Sequence, residues 1–250
     1  MESKLFGEAD DDWIESVTGI DTKRRLWNTY TIDDSIVPSP SFKDRFDQIS
    51  RVFHLEKEAG RRIYLNLFLA DIVDREEFQG KLRIFPELEM SITKVVGGKR
   101  RKLGGKHDYT IGFGQGLYPF GQKTPPKELH LVAIEGSRNW EEQNLWQCVA
   151  EAATIFRVRK DAKKAKCSVW GVLTNATDWI FIHIDEDGKL HRSTKFLLNL
   201  PDFHENEVFF IYRLLYHVVD QCFRACTPPG SEESLNTADH ATDFENDDSQ

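Results

Sequence analysis

What this chain lacks narrows the field before any motif is sought. No apolar run approaches the roughly 18–20 residues of a membrane-crossing helix, so no span is expected. The opening MESKLFGEADDDW has no apolar stretch of the kind a secretory leader needs, so no signal peptide is expected. Cysteine is scarce: Cys148, Cys167, Cys222 and Cys226 form no CxxC pair, and no histidine stands at zinc spacing from them. They read as reduced and mostly buried, which excludes a disulfide scaffold and suits the cytoplasm or nucleus. There is no P-loop, no GxGxxG opening a helix, no HExxH and no internal repeat. The eight histidines are scattered and suggest no site.

An excess of basic residues is also missing, but the acidic balance is local. The last twenty residues, from Ser231, hold seven acids and no Lys or Arg, so the net charge of −8 becomes −1 without them. A near-neutral body with a charged tail leaves a nucleic-acid surface open, decided by local patches. The patches present are Lys99-Arg100-Arg101-Lys102 with Lys106, and the run from Arg157 to Lys166. Such runs are commonly solvated faces; phosphate contact is the sharper reading. Trp140, Trp146 and Trp179 suit either base stacking or packing.

Along the chain, Pro38 and Pro40 separate a mixed N-terminal extension from the rest. Residues 1–40 are expected to be partly ordered, 41–227 to form one domain, and 228–250 to be a disordered acidic tail. Residues 42–77 read as helix, broken near Phe53–Leu55, with Leu65, Leu69 and Ile72 on one face of the second half together with Glu58. ELEMSITKVV alternates as a strand, Gly97-Gly98 is a turn, and KRRK is expected in the loop leading to HDYTIGF, the next strand. ELHLVAIE is apolar enough for a central strand buried on both faces. A helix capped by Ser137 or Asn139 follows. CSVWGVLT and WIFIHID flank the turn NATD, and residues 205–225 form a long terminal helix. The order predicts an α/β (α+β) fold with a mixed sheet flanked by helices.

Two acids fall where strands would carry them, Asp108 and Glu135, and the helix after Glu135 carries Gln147 and Glu151. Asp108 also suits a plain turn after Gly104-Gly105. Glu135, ending a buried strand, needs a metal or a salt bridge, with Lys106 or Arg138 as partner. Gln147 and Glu151 also fit the solvated face of an amphipathic helix.

Helix, hairpin with an acid, central strand ending in Glu, helix: with HDY, VAIEGS, QCVAEA and VWGVLTNATDWIFIHID, residues 55–185 resemble the PD-(D/E)XK nuclease superfamily. The branch resembled is found in fungal and oomycete proteins, including crinkler-type effector domains. The resemblance implies a restriction-endonuclease-like core that binds DNA or RNA and cleaves phosphodiesters with Mg²⁺ or Mn²⁺. It implies metal ligands at Asp108, Glu135 and the carbonyl of Gly136, with an added acid from the first helix, Glu58 rather than Glu56. It implies a lysine two residues after Glu135, where this chain has Ser137. Lys106, two before Asp108, is one substitute, and Gln147 is placed to orient a water. Arg138 and the Lys99–Lys102 cluster would contact phosphate. The alternative is a catalytically degenerate relative acting as a binding module, which Ser137 favours. A homo-oligomer is left open.

Overall fold

The computed structural model describes residues 1–27, 32–54, 57–114, 127–136 and 142–225; the side chains of Glu58, Leu129 and Ala225 lie outside that description. Sixteen elements bear on the architecture: β1 (Glu2–Leu5), α1 (Asp11–Thr18), β2 (Asp21–Leu26), α2 (Phe42–Val52), α3 (Glu58–Val73), β3 (Leu82–Pro86), β4 (Glu89–Val96), β5 (Lys99–Lys106), β6 (Tyr109–Phe113), β7 (His130–Gly136), α4 (Glu142–Asp161), β8 (Val169–Thr174), β9 (Asp178–Ile184), β10 (Lys189–Arg192), β11 (Phe196–Leu197) and α5 (Glu205–Ala225). Among the described residues no helix is long and apolar enough to cross a membrane.

The central sheet runs β2-β10-β9-β8-β7-β6-β3, with β11 added against β9. It is mixed: β7 lies parallel to β8, and β2 parallel to β10, while the other pairings are antiparallel. β7 and β8 are parallel neighbours because α4 lies between them in the chain, as a parallel pair requires. Helices cover both faces, which is why β7 and β8 are buried throughout and mostly apolar.

Period two divides the strands between two cores. Val132 and Ile134 of β7, Trp170 and Val172 of β8, and Trp179 and Phe181 of β9 face α2, α3 and α5. Ala133, Val169, Leu173, Ile180 and Ile182 face α1 and α4. Trp179 therefore belongs to the core, its Nε1 donating to the Ala176 carbonyl at 3.0 Å, and offers no surface for a base. The segment before α2 is pinned by charge: buried Asp71 accepts from the Ser39 backbone N–H, Arg45 and Tyr212.

A second sheet, β1-β5-β4, packs against the α1–α4 side. It corrects one expectation. The KRRK run is not a loop; it opens β5, which pairs antiparallel with β4 and parallel with β1. The alternation that places Leu103 inward also lays Arg101 over the Trp13 ring, 4.8 Å from its centroid, with its Nε 3.1 Å from Glu2. The first 27 residues, whose apolar Trp13, Ile14, Leu26 and Trp27 are too many for a plain tail, supply β1 to this sheet and β2 to the central one, with α1 packed in the core beside them. The expected break in the first helical region is found between α2 and α3, and the terminal helix spans the expected residues. The expected tail beyond residue 227 lies outside the described residues.

Candidate functional site

The site forms where β7 ends. Ala133 faces α4, so Glu135, two residues on, does too. α4 turns Gln147 and Glu151 towards it, four residues apart and so on one helix face. Gln147 Nε2 donates to Glu151 Oε1 at 3.4 Å, and Glu151 is shut from solvent. It is no solvated face. Asp108 sits in the short link between β5 and β6 and not within a strand. Its Oδ2 accepts from the Gly136 backbone N–H at 2.9 Å and from Arg62 Nη2, on α3, at 2.7 Å. Gly136 is needed there: a Cβ would lie 3.2 Å from Asp108 Oδ2 and 3.5 Å from Arg62 Nε.

Among the described residues, Arg62 pairs with Asp108 and acts on Glu135, and Glu151 lies beyond them. Burial, then the charges of Glu151 and Asp108, push the Glu135 carboxyl up to about 9, with Arg62 acting the other way. Burial first pushes Glu151 well above the carboxylate range, and Asp108 adds to this; hydrogen bonds with Glu135 and Gln147 oppose it. Like charges taken out of water cannot both be kept, so the Glu135–Glu151 pair holds a proton at neutral pH. His107, with Nδ1 3.5 Å from Glu151 Oε2, does not balance them, because burial depresses it to about 3 and keeps it neutral. It is wedged under Phe6, ring centroids 5.1 Å apart. The Cys148 thiol, pushed up by burial and by both glutamates, is no nucleophile.

The expected residues are thus partly assembled. Asp108, Glu135, Gly136 and Gln147 come together, joined by Glu151. Lys106, at the exposed end of β5 with Nζ 3.7 Å from Glu87, lines a cavity of about 690 Å³ that Gln147 also borders. β5 ends at Lys106 and the chain turns before Asp108, so period two does not carry across. Ser137, Arg138 and Glu56 lie outside the described residues, as do Trp140 and the expected caps; Glu58 opens α3, but its side chain is not described. Lys99 and Arg101 are spent on Glu2. Lys102 lines the same cavity as Lys106 and Gln147. The second basic run is structural in part: Arg159 is buried and donates to the carbonyls of Glu128 and Lys166. Arg62 was not legible as a site residue, though it falls one turn after Glu58 and so on the same face.

A divalent cation can be tested against this donor set. Among the described residues no three His, Cys, Asp or Glu side chains close into a ready metal cage. Hard oxygens are nevertheless in place, and Glu151 Oε2 is buried with no hydrogen-bond partner. Mg²⁺ needs only one or two carboxylates because it keeps its waters. Asp108 and Glu135 would supply two such carboxylates, with a proton to be displaced from Glu135.

No family model matches the chain, and no curated protein matches it.

Proposed function

We propose that this chain is a PD-(D/E)XK-like protein that binds DNA or RNA at the Asp108–Glu135–Glu151 cluster and hydrolyses phosphodiesters there with Mg²⁺ or Mn²⁺. The β5–β6–β7–α4–β8 region is read as its restriction-endonuclease-like core. The observation that carries the reading is the convergence of three carboxylates from a strand end, a turn and a helix, with burial and mutual repulsion raising two of them.

Asp108 and Glu135 would hold the cation with the Gly136 carbonyl. When bound, it would neutralise the scissile phosphate and make a hydroxide available near neutral pH. Arg62, fixed by Asp108, presents a charged donor fork suited to a phosphate oxygen. Gln147 orients the buried end of the site by donating to Glu151. Ser137 offers no ammonium, and Lys106 is engaged with Glu87.

The test is a calorimetric titration with Mn²⁺, followed by assays on single- and double-stranded DNA and RNA. One ion should bind, Asp108→Asn should weaken it, and cleavage should need the ion. An intact fold that neither binds Mn²⁺ nor cuts any substrate rules the reading out. A second reading, a catalytically degenerate relative that only binds, is favoured by the Arg62–Asp108 ion pair at 2.7 Å and by Ser137. It predicts metal binding without cleavage in the wild type and a gain of Mg²⁺-dependent cleavage in Ser137→Lys.

A further inference from the structure

A second site lies away from the carboxylates, beneath the first turns of α4. The far edge of the central sheet is β2 paired with β10. Arg24 of β2 and Arg192 of β10 converge on a pocket of about 90 Å³ whose opposite wall is Leu145, Trp146 and Val149 of α4. Arg192 Nε is cut off from solvent and has no hydrogen-bond partner. No hydrogen bond or ion pair of either guanidinium is found among the described residues. Glu142, on the pocket's rim, is exposed and makes no ion pair with them. Burial first, and Arg24 second, hold the Arg192 guanidinium below its ordinary range, with Glu142 acting the other way.

A buried donor without an acceptor is destabilising, and two like charges facing one space add to that. An oxyanion between the two guanidiniums removes both costs at once. Guanidinium forks match the oxygens of a carboxylate or phosphate in geometry as well as charge. The third wall is apolar and aromatic, which favours an anion with a hydrocarbon body over a bare inorganic ion.

The geometry points to a binding site for a small organic anion, its oxyanion head between Arg24 and Arg192 and its apolar body against Trp146, Leu145 and Val149. It is independent of the carboxylate cluster and of the nuclease reading.

Calorimetry on the full chain at constant ionic strength, with isobutyrate and inorganic phosphate as probes, tests it. Isobutyrate should bind one per chain and raise the melting temperature saturably, with phosphate binding more weakly. Arg192→Gln should raise the dissociation constant about tenfold or more, as the loss of a charge-assisted pair implies. Should Arg192→Gln fail to fold, Arg24→Gln, at an exposed position, should still weaken isobutyrate. Trp146→Ala should weaken isobutyrate more than phosphate. Failure of isobutyrate to bind saturably, or binding unchanged in Arg24→Gln, overturns the proposal, and tighter phosphate than isobutyrate overturns the role of the apolar wall.

Discussion

At the scale of single residues, the site turns on the Arg62 charge beside its acids. Arg62 holds Asp108 at 2.7 Å and stands against the backbone of Gly136. It is both a stabiliser of the metal-free protein and a competitor for any cation. Arg62→Met should therefore act in opposite directions on two measurements. Without divalent ions, urea unfolding should show a loss of about 1–2 kcal/mol, since Asp108 keeps one backbone donor but loses its ionic partner. With Mn²⁺, the same variant should bind the ion more tightly than the wild type, because the Arg62 charge no longer competes with the ion for the Asp108 carboxylate. Weaker Mn²⁺ binding would show instead that Arg62 organises the ligands. Gly136→Ala is the complementary change. The Cβ would meet Asp108 Oδ2 at 3.2 Å, so the turn must shift by tenths of an ångström. Metal affinity should fall while the fold survives, as read by circular dichroism beside the titration.

At the scale of elements, the N-terminal strand decides more than its length suggests. β1 pairs in parallel with β5 and delivers Phe6 onto His107. A Cβ on Gly105 would come within 2.8 Å of the Phe6 ring, so the glycine is what lets the ring seat. Phe6→Ala should cost about 3–5 kcal/mol in urea unfolding, as for a core phenylalanine; a cost under about 1 kcal/mol would show that the segment does not anchor the second sheet. Why no partner strand was legible for the segment is physical. A helix such as α5, or a doubly buried strand such as β7, announces itself by local periodicity. The partner of β1 is about a hundred residues away in sequence, Glu2 against Arg101, and no local pattern reports such a pairing. β5 was hidden differently: its four leading residues are all charged, which reads as loop until Glu2 and Trp13 are there to receive Arg101. At the site the same division holds. Asp108, Glu135 and Gln147 were legible from strand and helix order, whereas Arg62 and the protonation of the glutamates depend on which chain segments come together in space.

At the scale of the whole molecule, the buried titratable groups pull stability in two directions. His107 and His130, depressed to about 3, and His183, depressed to about 4, are all lowered first by burial. Their contribution is complete above the unfolded histidine value of 6.5 and is lost as pH falls towards the folded values. Glu135, raised to about 9, does the reverse: its contribution is complete below the unfolded value of 4.5 and is lost as pH rises towards 9. Glu151, also raised, adds to that loss. Below 4.5 the histidines are joined by carboxylates held low by partners, such as Asp10 and Asp185, and above 6.5 the two glutamates dominate, so stability should peak near pH 6 to 6.5 and fall on both sides. The alkaline limb should slope at about 1.4 kcal/mol per pH unit for each glutamate still holding its proton. Urea unfolding from pH 4.5 to 9 measures both limbs. Glu135→Gln should flatten the alkaline limb and leave the acid limb in place. Saturating Mn²⁺ should do much the same to the wild type, because an ion that binds the ionised carboxylate replaces the proton that folding retains. An alkaline limb that ignores both the substitution and the ion would mean that Glu135 is already ionised at neutral pH, and the cluster would then lack the raised carboxyl on which metal binding has been argued.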